Sequence, residues 1–121
     1  MSDSNHKIFI VEDEVVVAFE MSDMLEDLGF EVVGPSVHLE DAKKKAEDKE
    51  IDVAVLDVNL GRGKTSEPVA RILRERDIPF VFLSAYGRQD IGFAQDHEPV
   101  LKKPISGRML VEALKTRIAK D

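Results

Sequence analysis

The 121-residue chain contains no cysteine, so a disulfide framework and a thiolate metal site are both excluded, and a reducing cytoplasm is the expected compartment. Positive charge is in short supply. Lys and Arg number 17 against 24 Asp and Glu, leaving a formal net charge of −7, the wrong sign for generic attraction to nucleic-acid phosphates. No nucleic acid partner is expected. Apolar runs long enough to span a bilayer are also missing, and Met1 to Lys7 is polar with no signal-peptide core, so no membrane partner is expected either. There is no internal repeat, low-complexity tract or linker. What is there is 43% hydrophobic and 34% charged residues over the length of one ordinary domain, which predicts a single soluble globular unit spanning 1–121.

Hydrophobic periodicity divides that unit into alternating strands and helices. Residues 7–11, Lys-Ile-Phe-Ile-Val, read as a buried strand that stops at Glu12, Asp13 and Glu14. From Glu14 to Leu28, Val17, Met21, Met24, Leu25 and Leu28 recur at helical spacing, and Gly29 is a stop signal. Glu31 to Val33 reads as a short strand ended by Gly34-Pro35. Ser36 is then expected to cap a helix with Leu39, Ala42 and Ala46 inward and Lys43, Lys44 and Lys45 on a solvated face. Ile51 to Asp57 is the most strand-like segment and ends on a carboxylate. The loop Gly61-Arg62-Gly63 leads into a helix over about Ser66 to Arg76 with Val69, Ile72 and Leu73 inward, and Pro79 to Ser84 is the fourth strand. Tyr86 to His97 has two glycines and weak periodicity and reads as a short or mobile helix. Glu98 to Lys102 is the fifth strand, and Ser106 caps a last helix with Leu110, Ala113, Leu114 and Ile118 inward. Five strands alternating with five helices predict an α/β fold: a doubly wound, five-stranded parallel sheet covered on both faces.

In such a sheet, ligands bind outside the carboxyl ends of the strands near the point where strand order reverses. The polar residues collect there: Glu12 and Asp13 after strand one, Asp57 ending strand three, Ser84 ending strand four, and Lys103 after strand five, before Pro104. Three converging carboxylates repel one another and call for a cation. A hard, oxygen-loving dication, Mg²⁺ in a cell, together with Lys103 would bring the pocket near neutrality. A dianionic phosphoryl group on Asp57 would then leave it one charge out of balance. The chemistry this permits is in-line attack by the Asp57 carboxylate on a donor phosphoryl group, with Lys103 neutralising one phosphoryl oxygen and the Ser84 hydroxyl donating to another.

The constellation Glu12-Asp13, Asp57, Ser84 and Lys103-Pro104, in that order on those elements, resembles the receiver domain of two-component response regulators, with its flavodoxin-like fold. The resemblance covers essentially the whole chain. It implies that a histidine kinase or histidine phosphotransfer protein phosphorylates Asp57. It further implies that Asp13, Asp57 and the main-chain carbonyl of Asn59 hold Mg²⁺ with Glu12 acting through water, and that Ser84 and Lys103 are the switch hydroxyl and the phosphate-binding lysine. Three features depart from the pattern. Val100 stands where the family usually has a switch aromatic, and Leu60-Gly61 replaces the usual Met-Pro. Pro79 to Gly87 looks like the Phe-Ala-Thr-Gly-Tyr subclass of alphaproteobacterial single-domain receivers, in which Tyr86 would be the candidate replacement aromatic.

Each residue also has a plainer reading. Asp13 could be a helix N-cap, Asp57 a turn former, Ser84 a turn hydroxyl, and Lys103 a solvated lysine, although strand alternation makes Lys102 the better candidate for solvent. The Lys103-Pro104 bond is trans by general preference and cis only by the family precedent. His6, His38 and His97 lack ligand spacing and read as surface residues. Phe19 and Val16 lie off the buried face of the first helix, either as isolated apolar residues or as a kinase-docking surface. With only Lys120 and Asp121 after the last helix, no output domain is expected in the chain. Its output would be binding of an unidentified protein partner, a phosphate sink, or onward relay, with phosphorylation-dependent dimerisation left open. Two alternatives compete: a pseudo-receiver that binds protein without phosphorylation, and a haloacid-dehalogenase-like phosphatase. The phosphatase would need an acid at the position held by Asn59, which cannot transfer the proton.

Overall fold

The computed structural model describes residues 6–119. The chain runs β1 (Lys7–Val11), α1 (Val15–Asp27), β2 (Glu31–Ser36), α2 (Leu39–Asp48), β3 (Val53–Asp57), α3 (Glu67–Glu75), β4 (Phe80–Ser84), β5 (Val100–Lys102) and α4 (Gly107–Ala119). All five strands are parallel, in the order β2-β1-β3-β4-β5. Successive strands therefore move outward from β1 to β2, and then outward again on the opposite side from β3 to β5. The reversal falls between β1 and β3, which places the ends of those two strands at the crevice.

Side-chain alternation along the strands divides the core in two. Phe9, Ala54, Leu56, Phe80 and Phe82 point to one face and pack with Ala42 and Ala46 of α2 and Val69, Ala70 and Leu73 of α3. Ile8, Ile10, Val53, Val55, Val81 and Leu83 point to the other and pack with Met21 and Leu25 of α1 and Leu110 and Leu114 of α4. β3 and β4 are buried throughout, so their sequences read as unbroken apolar runs. At roughly 1.5–3 kcal/mol for each large apolar side chain fully buried, these two layers are what hold the strand ends in place.

The chain ends α1 as the sequence predicts. Gly29 adopts φ 95°, and the Phe30 N–H donates to the Leu25 carbonyl at 3.1 Å, the bond pattern that closes a helix at a left-handed residue. Leu28, expected on the buried face, is instead exposed, because α1 ends at Asp27 and Leu28 is already the cap residue, outside the helical period; Phe30 is buried in its stead. β2 continues three residues past Val33, through a cis Gly34-Pro35 bond, to Ser36. Ser36 consequently does not cap α2. His38 occupies the cap position without a side-chain bond, and the Ser36 hydroxyl donates to Asp41 Oδ2 at 2.7 Å. Ser106 does cap α4, accepting the Met109 N–H at 3.1 Å.

The fifth helix is absent from the described residues: between β4 and β5 there is only a single 3-10 turn, Arg88–Asp90. Arginine side chains take over the bonding a helix would supply. Arg74 donates to the Phe93 carbonyl at 2.7 Å, and Arg88 donates to the carbonyls of Gln95 and Glu98. Glu98, 1% exposed, receives a two-pronged ion pair from Arg74, with both N–O distances 2.8 Å, and accepts the Gln95 N–H at 2.8 Å. With backbone carbonyls satisfied this way, the segment holds its course without helical hydrogen bonds.

Candidate functional site

The sheet delivers the predicted residues to one place. β1 ends at Val11, and the next N–H, that of Glu12, donates to the Ser36 carbonyl at 3.0 Å, so the ladder with β2 fixes the Glu12 backbone. The Glu12 side chain is fully buried, with Oε2 accepting the Glu14 N–H at 3.1 Å and Oε1 accepting from Lys103 Nζ at 3.2 Å. Asp57, the last residue of β3, is buried; its neighbour Val58 donates to the Leu83 carbonyl at 2.9 Å and accepts from the Ser66 N–H at 3.0 Å. Lys103 Nζ lies 3.0 Å from Asp57 Oδ1. Ser84 ends β4, and its carbonyl accepts the Lys103 N–H at 2.8 Å, tying hydroxyl and lysine together through the backbone. The Lys103-Pro104 bond is cis.

Of the plainer readings, two can be judged on geometry. Asp13 is not a helix cap, because Glu14 holds that position and no side chain bonds the first turn. Lys103 is not a solvated lysine, whereas Lys102 is exposed. Ser84 does form a local turn contact, its Oγ accepting the Tyr86 N–H at 3.0 Å, which leaves the hydroxyl proton free to point elsewhere. Tyr86 is 59% exposed and Val100 packs against the core beside Phe82. His38 and His97 are exposed as expected, and His6 is half-buried.

Glu12, Asp13 and Asp57 each offer a carboxylate oxygen within 4.8 Å of the others. An octahedral Mg²⁺ with bonds of about 2.1 Å separates its ligand oxygens by roughly 3 to 4.2 Å; a small inward adjustment of hard oxygen donors meets that, and the donor set fits the ion. The electrostatics agree. Burial and then the charge of Glu12 push the Asp57 carboxyl up to about 8, against the opposing pull of Lys103. Burial draws the Lys103 ammonium down, but its hydrogen bond to Asp57 and the charges of Asp57 and Glu12 outweigh this, and it ends above its ordinary value. The bare pocket thus holds one negative charge more than it accommodates.

Asn59 stands two residues past Asp57 and pairs with Thr65 as an antiparallel bridge, opening a small hairpin. Phe19 and Val16, 51% and 69% exposed, do face solvent. Val15, which the periodicity did not single out, joins them, so the start of α1 carries three exposed apolar residues shortly after Glu12 and Asp13.

A family model described as the response regulator receiver domain matches residues 8–115, and the chain belongs to that family. PdtaR, a transcriptional regulatory protein of Mycobacterium tuberculosis strain H37Rv, is 27% identical over 117 residues, covering 94% of this chain but 57% of PdtaR. The chain therefore spans little more than half the length of that relative. Among solved structures, SdrG from Sphingomonas melonis Fr1 is 38% identical with a TM-score of 0.75, each chain covered almost completely at 98% and 99%. A CheY-like receiver from Methanospirillum hungatei JF-1 matches in fold, with a TM-score of 0.84 at 20% identity over 95% of this chain and 94% of its own. Receiver domains serve signalling. No helix among the described residues is long and apolar enough to cross a membrane.

Proposed function

We propose that Asp57 is a phosphoacceptor, charged by a histidine kinase or histidine phosphotransfer protein in the cytoplasm, and that the phosphorylated form signals by binding a protein partner or drains phosphate from another regulator. The observation that carries this reading is the buried Asp57 carboxylate, held 3.0 Å from Lys103 Nζ beside Glu12 and Asp13. A structural ion pair has no need of three carboxylates for one lysine. Asp13, Asp57 and the Asn59 carbonyl would hold Mg²⁺, with Glu12 positioned behind them. When bound, the ion supplies charge neutralisation for the attacking carboxylate and the incoming phosphoryl oxygens. Asp57 Oδ forms the new bond to phosphorus while the donor's bond to phosphorus breaks and the leaving group departs with the electron pair. Lys103 transfers its contact from the carboxylate to a phosphoryl oxygen, and Ser84 turns its hydroxyl to a second.

That exchange is the basis of switching. Lys103 is backbone-bonded to Ser84, and Ser84 leads into the arginine-tethered segment before β5, so a new phosphoryl contact pulls on the face formed by that segment, β5 and α4. Val100 offers no aromatic for this, which keeps a pseudo-receiver as the second reading. Mass spectrometry after incubation with Mg²⁺ and acetyl phosphate separates the two: the phosphoacceptor reading expects an alkali-labile gain of one phosphoryl group that Asp57→Ala abolishes. An unlabelled wild type would leave the pseudo-receiver.

A further inference from the structure

The hairpin joining β3 to α3 carries two cations for which the fold has no other use. Leu60 N–H donates to the Lys64 carbonyl and Lys64 N–H to the Gly61 carbonyl, both at 2.9 Å, so the turn is a defined object. Gly61, Arg62 and Gly63 all take positive φ, at 81°, 56° and 75°. Arginine is an uncommon occupant of that left-handed region, where glycine or asparagine would sit more easily. A β-carbon on Gly61 would lie 3.5 Å from Asp13 Oδ2, which puts the turn against the exposed side of the carboxylate cluster. Arg62 and Lys64 are exposed. Among the described residues neither makes an ion pair or a side-chain hydrogen bond, although acids outnumber bases by 24 to 17.

A phosphodonor is an anion, and it must approach three carboxylates. Lys103 is only half-buried, but it is already engaged with Asp57 and Glu12, so its charge is largely taken up before an anion arrives from solvent. Two unpaired cations at the rim do act at that stage. We propose that Arg62 and Lys64 are a cationic arm that recruits the anionic phosphodonor to Asp57 and favours donors of higher negative charge. The inference rests on the phosphoacceptor reading. The step served is balanced: the Asp57 Oδ–phosphorus bond forms, the phosphorus–oxygen bond of acetyl phosphate breaks, and acetate leaves with the electron pair. With phosphoramidate the phosphorus–nitrogen bond breaks and ammonia leaves after taking a proton. Arginine's planar fork suits the paired oxygens of a phosphoryl group, and its long side chain can reach a donor from a fixed turn.

The test compares wild type with the double variant Arg62→Ser, Lys64→Ser, whose exposed side chains hold nothing together. Phosphorylation rates are measured at saturating Mg²⁺ with acetyl phosphate, the more negative donor, and phosphoramidate, the less negative one, at about 0.02 M and about 0.5 M salt. The expected loss with acetyl phosphate is about threefold to tenfold at low salt, smaller with phosphoramidate, and close to none at high salt. Calorimetry should show Mg²⁺ bound slightly more tightly by the variant, since the same cations oppose a dication. The pair Arg62→Lys, Lys64→Arg, which keeps both charges, should keep the wild-type salt dependence and preference between donors. Equal rates for wild type and the serine variant at low salt, or an equal loss with both donors at both salts, would overturn the arm while leaving Asp57 as acceptor. A wild type that takes phosphate from neither donor would overturn both.

Discussion

Replacing Asp57 with asparagine should stabilise the metal-free protein, and the pocket sets the size of the gain. Asp57 faces Glu12, Asp13 and Lys103, and its carboxyl sits at about 8 in the folded chain against an ordinary 3.8. Below pH 4 both folded and unfolded forms are protonated and the group contributes nothing. As pH rises the unfolded chain gives up its proton while the folded chain retains it, so stability falls until the folded group also ionises near pH 8. At pH 7 the difference amounts to about three units at about 1.4 kcal/mol each, a ceiling of about 4 kcal/mol. Asparagine keeps the shape and an oxygen for Lys103 but has no charge to bury, so a gain of about 2–4 kcal/mol is expected. At about 4 °C per kcal/mol for a chain of this length, the melting temperature should rise by about 8–16 °C. Circular-dichroism melts in chelator at several pH values check this: the gap between Asp57→Asn and wild type should widen from pH 5 to pH 8, and Mg²⁺ should narrow it by stabilising wild type. A constant gap, or a less stable variant, would refute the reasoning.

The other expectations concern parts of the molecule with separate causes. Arg74→Ala leaves the buried Glu98 carboxylate unpaired and should cost about 3–5 kcal/mol in urea denaturation. Glu98 itself is opposed by burial, yet Arg74 and the Gln95 N–H hold its carboxyl below the ordinary range. Its contribution is therefore complete at neutral pH and lost as pH falls through the acid range; the stability difference between wild type and Glu98→Gln should shrink in acid melts. Gly34→Ala should be destabilising by about 1–3 kcal/mol, since its φ is 90° and a β-carbon would meet the Ser36 nitrogen at 2.8 Å. Phe19→Ser, at an exposed position, should leave stability within about 0.5 kcal/mol while slowing phosphotransfer from the cognate kinase; an unchanged transfer rate removes Phe19 from the docking surface.

The strand ends were legible in sequence because each buried strand is an apolar run that halts at a polar residue, and in a parallel sheet those halts share one edge. Glu12, Asp57 and Ser84 could be placed from that rule, and Lys103 by adding the strand alternation that turns Lys102 to solvent. The segment after Ser84 could not. Its order comes from Arg74, Arg88 and Glu98, residues far apart in sequence whose pairing leaves no periodic trace, so a weak helix was the nearest local reading. Ser36 misled for a similar reason: Gly34-Pro35 is ordinarily a strand terminator, but pairing with β1 carries β2 through it. Leu28 fits the helical period and still faces solvent, since periodicity fixes which face a residue would share and not that the helix stops one residue earlier, at Asp27. Gly61-Arg62-Gly63 reads in sequence only as a loop, and it is the approach of Gly61 to Asp13 that gives Arg62 and Lys64 a neighbour to act on.

The central claim, that Asp57 takes the phosphoryl group, is tested most directly by trapping the product. Borohydride reduces an acyl phosphate to the alcohol, so protein treated with Mg²⁺ and acetyl phosphate, reduced, digested and sequenced by mass spectrometry should carry homoserine at position 57 and nowhere else. Homoserine at position 13, reduction product at Glu12, or an unmodified Asp57 in protein that binds Mg²⁺ would contradict the account.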